Sequence, residues 1–166
     1  MLTVAELIRF RLQNERYIFR VAESTIPTPY GDFRMIAYES EVDGGESHLA
    51  LVRGDVNSEH NEEPVLVRVH SHCLAGDVFG ATLCDCQLVV QRSLEKIAEA
   101  GRGALIYLHN TSKGFDIDRT NKRLILHREA RSGDHGEDRH HHRILRQVGL
   151  GGQILSDLNI RKIRLL

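Results

Sequence analysis

Short stretches in which hydrophobic and polar residues alternate recur through the first half of the chain and predict β-strands near residues 18–22, 33–38, 48–52 and 65–70. Turn-forming segments separate them, such as Pro27-Thr-Pro-Tyr-Gly31 and Asp43-Gly-Gly45, which are typical of tight connections between strands. The first half of the chain is therefore expected to be rich in β-structure.

The pattern changes to a helical one after Cys86, where apolar residues recur three or four positions apart until Gly101 and Gly103 end the helix. Further elements are expected at residues 4–15 (helix), 104–108 (strand), 148–158 (helix) and 162–166 (strand). The order predicts an α+β fold. Its β-rich N-terminal half leads into a unit made of a strand, a cysteine-containing loop, a helix and a strand.

The composition is that of a globular domain. At 166 residues the chain has the length of one domain and can bury a sizeable core. With 41% hydrophobic and 27% charged residues it is neither disordered nor membrane-spanning in character. The N-terminus has no basic region followed by an apolar core, so we expect a cytosolic protein. The net charge of −1 gives no general attraction to nucleic acid.

Residues 110–143 are almost wholly polar, apart from Leu124-Ile-Leu126. They contain the run Asp134-His-Gly-Glu-Asp-Arg-His-His-His-Arg143, in which the adjacent histidines lack the spacing of a designed metal site. Such a segment has too little apolar surface to offset the entropy cost of ordering it. We therefore expect a polar, mobile insert at 110–143.

All three cysteines lie within one short segment, with ten residues between Cys73 and Cys84 and one between Cys84 and Cys86. Zinc favours thiolates and is usually four-coordinate, so three cysteines leave one position for a water that could attack an electrophilic carbon. The helix that follows favours thiolates at its N-terminus. The alternative is a chance grouping of inert, buried thiols. His72 could add a fourth ligand, but a residue next to Cys73 on an extended chain points to the opposite face.

The cysteine segment carries a resemblance to a known family. The run from Arg68 to Cys86, followed by Ala98-Glu-Ala-Gly-Arg-Gly103 and Ile106-Tyr-Leu108, is similar to GTP cyclohydrolase II, the zinc enzyme that opens riboflavin synthesis. Residues 26–33, 151–158 and 164–166 match further family segments, so the resemblance covers 17–109 and 145–166. The opening helix resembles the connector found where this domain follows a dihydroxybutanone phosphate synthase. The resemblance implies a connector at 1–16 and a zinc domain at 17–166.

The resemblance also implies a reaction. In that family zinc-bound water attacks C8 of GTP, formate and pyrophosphate leave, and a diaminopyrimidine ribosyl phosphate remains, while Mg²⁺ accompanies the triphosphate. For this chain it implies GTP as the substrate, one zinc ion per chain, a homodimer, and a dihydroxybutanone phosphate synthase as a candidate partner. It implies neither a nucleic-acid partner nor a membrane.

Roles carry over at matching positions only. Arg68, Ser71 and Lys113 match positions that bind the substrate, and Arg146 matches the arginine that attacks the α-phosphorus. Because a protonated guanidinium is a poor nucleophile, a role for Arg146 in clamping phosphate carries equal weight. The zinc ligands of the family match Cys73, Cys84 and Cys86.

Several positions depart from the family's pattern. His72 replaces a glutamate, Val89 a glutamine and Lys113 an arginine. Ile144 occupies the position of the general-base aspartate, and loss of one general base commonly costs about 10²–10⁴ in rate. The chain also ends at Leu166, before a Thr-Asn-Asn-Pro-Lys-Lys stretch of the family.

These departures leave two hypotheses. The first is an enzyme of the GTP cyclohydrolase II type whose turnover is impaired by the altered pocket. The second is a catalytically inactive, zinc-stabilised domain with a structural, dimerisation or regulatory role beside a riboflavin enzyme. A third hypothesis, a zinc-dependent nucleic-acid module, lacks a second pair of ligands and a basic face.

Overall fold

The computed structural model describes residues 6, 15–41, 46–60, 62–109, 115–118, 120–126 and 148–166. Six strands form one sheet: β1 (Ile18–Thr28), β2 (Gly31–Ser40), β3 (Glu46–Arg53), β4 (Val65–Ser71), β5 (Gly103–Leu108) and β8 (Ile163–Leu165). Two more, β6 (Phe115–Asp118) and β7 (Arg123–Leu126), form a separate hairpin. The helical segments are a π-helical turn at Leu74–Val78, α1 at Cys86–Ala100, and α2, whose described part is 148–157. In this part of the chain no helix is long and apolar enough to cross a membrane.

The sheet is mixed, with the strand order β1-β2-β3-β5-β4-β8. β1, β2 and β3 form an antiparallel meander, in which Ile36 pairs with Glu23 on one side and Ala50 on the other. β5 runs antiparallel to β3 but parallel to β4, and β8 runs parallel to β4 on its other side. α1 makes the crossover that two neighbouring parallel strands require. The sheet and its helices confirm the expected α+β class.

Hydrophobic cores cover both faces of the sheet. One core packs α2 against the sheet and includes the fully buried Ile36, Ile106 and Ile154. The other packs α1 against the opposite face around Ile97 and Leu105. Because consecutive residues of β5 enter opposite cores, this central strand is hydrophobic without interruption.

The structure confirms the predicted strands and the central helix, and it lengthens several of them. β1 continues to Thr28 rather than ending near residue 22, because it pairs with β2 along nearly its whole length. α1 ends at Gly101, as predicted, where φ is +69° and the Gly101 N–H donates to the carbonyl oxygen of Ala98. That backbone conformation favours glycine over any residue with a Cβ atom.

Most of the N-terminal segment and most of the polar insert lie outside the described residues. The helix expected at 4–15 and the connector at 1–16 lie mostly outside the described residues, within which Glu6 is helical and residues 15–16 are not. Inside the expected insert at 110–143, the structure contains the β6–β7 hairpin, with Asp116 paired to Ile125. This hairpin was not predicted, although Phe115-Asp-Ile-Asp118 alternates in the period of a strand. The other residues of the insert, apart from those in its turn, lie outside the described residues.

Ile97→Ala should lower the free energy of unfolding by about 2–5 kcal/mol, because it opens a cavity between α1 and the sheet. Leu88→Ala on the same helix is the control, since Leu88 is 49% exposed and its loss should cost far less. Urea unfolding of both variants measures the difference. Equal losses would contradict the assignment of the buried face of α1.

Candidate metal centre

The three cysteines come together at the carboxyl end of β4. Cys73 follows β4 and is buried, Cys84 lies on the next loop, and Cys86 is the first residue of α1; all three are free thiols. Their sulfur atoms lie within 4.8 Å of one another, and those of Cys73 and Cys84 are 3.8 Å apart. Two thiolates placed tetrahedrally at about 2.3 Å from one zinc ion lie about 3.8 Å apart. The cluster therefore fits a metal ion of this kind.

Gly76 lies against all three cysteines and makes their convergence possible. A Cβ atom at this position would lie 2.5 Å from Sγ of Cys84, 2.8 Å from Cβ of Cys86 and 3.2 Å from Sγ of Cys73. Non-bonded carbon atoms attract best at about 3.5–4.0 Å and repel strongly at the shorter of these separations. A side chain at residue 76 would push the sulfur atoms apart.

Burial and the helix act on the thiols in opposite directions. Burial raises the pKa of Cys73 and of Cys86, and the neighbouring Cys84 thiol raises that of Cys86 further. Cys86 is the first residue of α1, where the partial positive charge of a helix N-terminus opposes this rise in its pKa. A divalent cation at the sulfurs would favour thiolate outright. The donor set thus suits a metal better than a free reactive thiol.

Asp77 is the centre of a hydrogen-bond network beside the cysteines. Its Oδ2 accepts from the backbone N–H of Cys73 at 2.9 Å and from the hydroxyl of Tyr107 at 2.7 Å. Its Oδ1 is 2.9 Å from Nε2 of His70. The side chains of His70 and Asp77 are only 5% and 10% exposed, so water competes little with these bonds.

The same network orients His72. Tyr107 donates its one hydroxyl hydrogen to Asp77, so its oxygen, 2.7 Å from Nδ1 of His72, accepts a hydrogen bond from that nitrogen. This pattern assigns the proton of neutral His72 to Nδ1. Burial, and then nearby His109, lowers the pKa of His72 and favours the neutral ring. His72 joins neither potential metal-binding group found among the described residues, so its role as a fourth ligand gains no support.

The other predicted site residues lie apart. Arg68 is on β4, and its Nη1 donates to a main-chain oxygen of Leu166 at 2.8 Å. Ser71 ends β4 three residues later, and because alternate residues of a strand face opposite sides of the sheet, Arg68 and Ser71 lie on opposite faces. Lys113 and Arg146 lie outside the described residues.

His70, Asp77 and Tyr107 were missed as members of the site. His70 pairs with Tyr107 across β4 and β5, and the unit of strand, helix and strand already implied that these two strands run in parallel. Asp77 follows Cys73 by four residues, a spacing that one helical turn closes. Both signals were present in the sequence.

Comparison with known proteins identifies the family. The family model for GTP cyclohydrolase II matches residues 19–166. The chain belongs to the GTP cyclohydrolase II family. The riboflavin biosynthesis protein RibBA of Bacillus subtilis (strain 168) is 41% identical over 167 aligned residues, which cover 100% of this chain and 41% of that protein. RibBA of Chlorobium phaeovibrioides is 39% identical, with 100% of this chain and 40% of the relative covered.

A solved structure also resembles this member of the GTP cyclohydrolase II family. It is RibBX of A. baumannii, described as a two domain 3,4-dihydroxy-2-butanone 4-phosphate synthase, with a TM-score of 0.61 and 27% sequence identity. The match covers 99% of this chain and 38% of RibBX. The chain thus spans about two fifths of the length of these relatives.

The purified GTP cyclohydrolase II family domain should hold about one zinc ion per chain. Cys84→Ser should remove the metal and lower the melting temperature, because an ion held by the three cysteines would link the loop to the start of α1. Elemental analysis and thermal unfolding measure the two effects. Protein that is prepared without chelator and carries no zinc would refute the assignment.

Gly76→Ala should also remove the metal, although it leaves every cysteine in place, because the new Cβ atom would occupy the space of the sulfurs. Gly152→Ala is the matched control, because Gly152 lies on α2 and a Cβ atom there would meet nothing within 4 Å. Alanine is favoured over glycine inside a helix by about 0.5–1 kcal/mol, so the control should bind zinc normally and unfold at a slightly higher temperature. Normal zinc content in Gly76→Ala would contradict the geometry of the cluster.

Proposed function

We propose that this domain is a zinc hydrolase of the GTP cyclohydrolase II type, which opens the imidazole ring of GTP in riboflavin biosynthesis and does so more slowly than the family norm. The products would be formate, pyrophosphate and a diaminopyrimidine ribosyl phosphate. The observation that carries the proposal is the convergence of Cys73, Cys84 and Cys86 on one metal position, within a chain of this family.

Cys73, Cys84 and Cys86 would hold the zinc ion, which when bound would act as a Lewis acid that activates water for attack on a purine carbon. Three protein ligands leave a coordination position for chemistry, whereas a structural zinc site is closed by a fourth. Cys84 and Cys86 are partly exposed while Cys73 is buried, which supports access to the cluster from the side of the loop. Mg²⁺ would accompany the triphosphate of the substrate.

Cationic side chains would bind the triphosphate. Arg68 supports this role because its Nε is buried and, among the described residues, has no hydrogen-bond partner, while its Nη1 contacts a main-chain oxygen of Leu166. Arg146 and Lys113 are proposed on their sequence positions, with Lys113 giving a point charge in place of the two-pronged contact of an arginine.

Proton transfer is the step expected to be slow. Ile144 stands where the family has its general base, and an aliphatic side chain cannot carry a proton. His72 stands where the family has a glutamate, and its Nδ1 is already engaged by Tyr107. Only Nε2 of His72 is then left to act toward a substrate. Binding of phosphate needs none of these groups, so it would survive better than hydrolysis.

A second candidate function is a zinc-stabilised domain that does not turn over GTP and supports dimerisation or a neighbouring dihydroxybutanone phosphate synthase. RibBX of A. baumannii supports this candidate, because RibBX contains a region that matches this chain and is described as a synthase. The RibBA relatives extend well beyond the matched region, which supports the proposal that this domain works beside another enzyme. A homodimer is proposed from family resemblance alone.

Formate release from GTP and Mg²⁺ tests the proposal. We expect steady formate release at a rate about 10²–10⁴-fold lower than that of a GTP cyclohydrolase II that keeps the aspartate. We expect Cys73→Ser to abolish this release. GTP binding without formate release would support the second candidate. Formate release that persists in Cys73→Ser would refute a role for the cysteine cluster in the reaction.

A further inference from the structure

Asp77 belongs to no step of the proposed hydrolysis, yet it is the most heavily hydrogen-bonded side chain beside the cysteine cluster. We propose that Asp77 is a positioning residue that holds the Cys73 loop in its metal-binding form, and that Tyr107 and His70 fix the Asp77 carboxylate for this purpose. The inference rests on the metal-binding part of the proposed function and is independent of GTP turnover.

Asp77 and Cys73 are joined by two reciprocal hydrogen bonds. The backbone N–H of Asp77 donates to the carbonyl oxygen of Cys73 at 2.7 Å, and the backbone N–H of Cys73 donates to Oδ2 of Asp77 at 2.9 Å. These two bonds fix the peptide groups on either side of the Cys73 Cα atom. The direction of the Cys73 side chain is thereby set before a metal binds, and pre-ordering of a ligand lowers the entropy cost of binding.

The carboxylate itself is tied to the two central strands. The hydroxyl of Tyr107 reaches it from β5, and Nε2 of His70 reaches it from β4. Three donors thus converge on the two oxygens of Asp77, two of them from neighbouring register positions of the sheet. The Asp77 carboxylate thus ties the loop that carries Cys73 to the two central strands.

Asp77 acts from outside the metal's own ligands. Asp77, His70 and Cys86 offer ligand atoms within 4.8 Å of one another, so the carboxylate is close enough for direct coordination to be considered. Both of its oxygens are already engaged by the three donors, however, and the three sulfur atoms form a group of their own. Groups that orient metal ligands in this way typically contribute about 10–100-fold in metal affinity.

Asp77→Asn tests the proposal in the full chain. The amide keeps the shape of the side chain but replaces one accepting oxygen by an NH₂ group, so at least one of the three donors loses its acceptor. We expect Zn²⁺ and Co²⁺ to bind about 10–100-fold more weakly, with faster loss of metal to a chelator. The absorption bands of the Co²⁺ form should keep the position typical of three thiolates, because the ligands themselves are unchanged.

Asp157→Asn is the matched control. Asp157 lies on α2, its side chain is 16% exposed, and it accepts hydrogen bonds from Tyr38 at 3.0 Å and from Arg20 at 2.9 Å. The substitution breaks a comparable network on the other face of the sheet. It should lower the melting temperature of the metal-free protein and leave metal affinity as in the unsubstituted chain.

The outcomes separate the alternatives. Unchanged metal affinity in Asp77→Asn would overturn the proposal, even with a lower melting temperature, because the role would then be structural alone. A changed Co²⁺ spectrum would also overturn it by making Asp77 a ligand. If Asp77→Asn does not fold, Tyr107→Phe decides, since it removes one donor and should speed metal loss several-fold; an unchanged rate refutes the inference. Absence of formate release would refute the proposed hydrolysis, but it would not change what the metal-binding measurements say about Asp77.

Discussion

The parallel pairing of β4 with β5 is the constraint on which the candidate site depends. It places Tyr107 beside His70 and brings the carboxyl ends of both strands to one edge of the sheet. The connection between the two strands crosses back through α1. Cys73, which follows the end of β4, and Cys86, which begins α1, therefore lie at that same edge. A shift of one residue in this register would turn His70 and Tyr107 to opposite faces and separate them.

α1 packs closely against these two strands at the amino end of β5. A Cβ atom at Gly103 would lie 2.8 Å from the carbonyl oxygen of Leu66 and 2.9 Å from the side chain of Ile97. The absence of a side chain at Gly103 therefore lets α1 approach the sheet closely. The same device recurs at Gly76, where a missing side chain makes room for the sulfur atoms. Gly103 thus determines how near α1 comes to the sheet, and Gly76 determines how closely the three cysteines approach one another.

The sequence predicted the features that depend on local spacing. The strands and α1 follow from periodicity, and the cysteine cluster follows from the few residue types that hold zinc. Features that depend on the pairing of distant segments were harder to predict. Asp77 contacts Tyr107, which is thirty residues away, because the pairing of β4 with β5 brings Tyr107 beside the end of β4. The family resemblance groups Arg68 with Ser71, but the two residues face opposite sides of the sheet because side chains alternate along a strand. The β6–β7 hairpin was missed because its short period-two pattern lies within a polar segment.

The proposed metal binding and the proposed ring hydrolysis would draw on different parts of this chain, so one could persist without the other. The groups that shape the cysteine cluster, Gly76 and Asp77 among them, lie between β4 and β5, and the described geometry is consistent with a complete set of three ligands. The proposed hydrolysis would need in addition a proton carrier, and Ile144 occupies the sequence position at which the family resemblance implies one. A metal that binds only the folded state stabilises it whether or not a substrate reacts, so a metal site at the cysteines does not by itself require turnover. The convergence of the three cysteines thus supports the proposed metal site, and neighbouring groups such as His72 would decide what a metal there is used for.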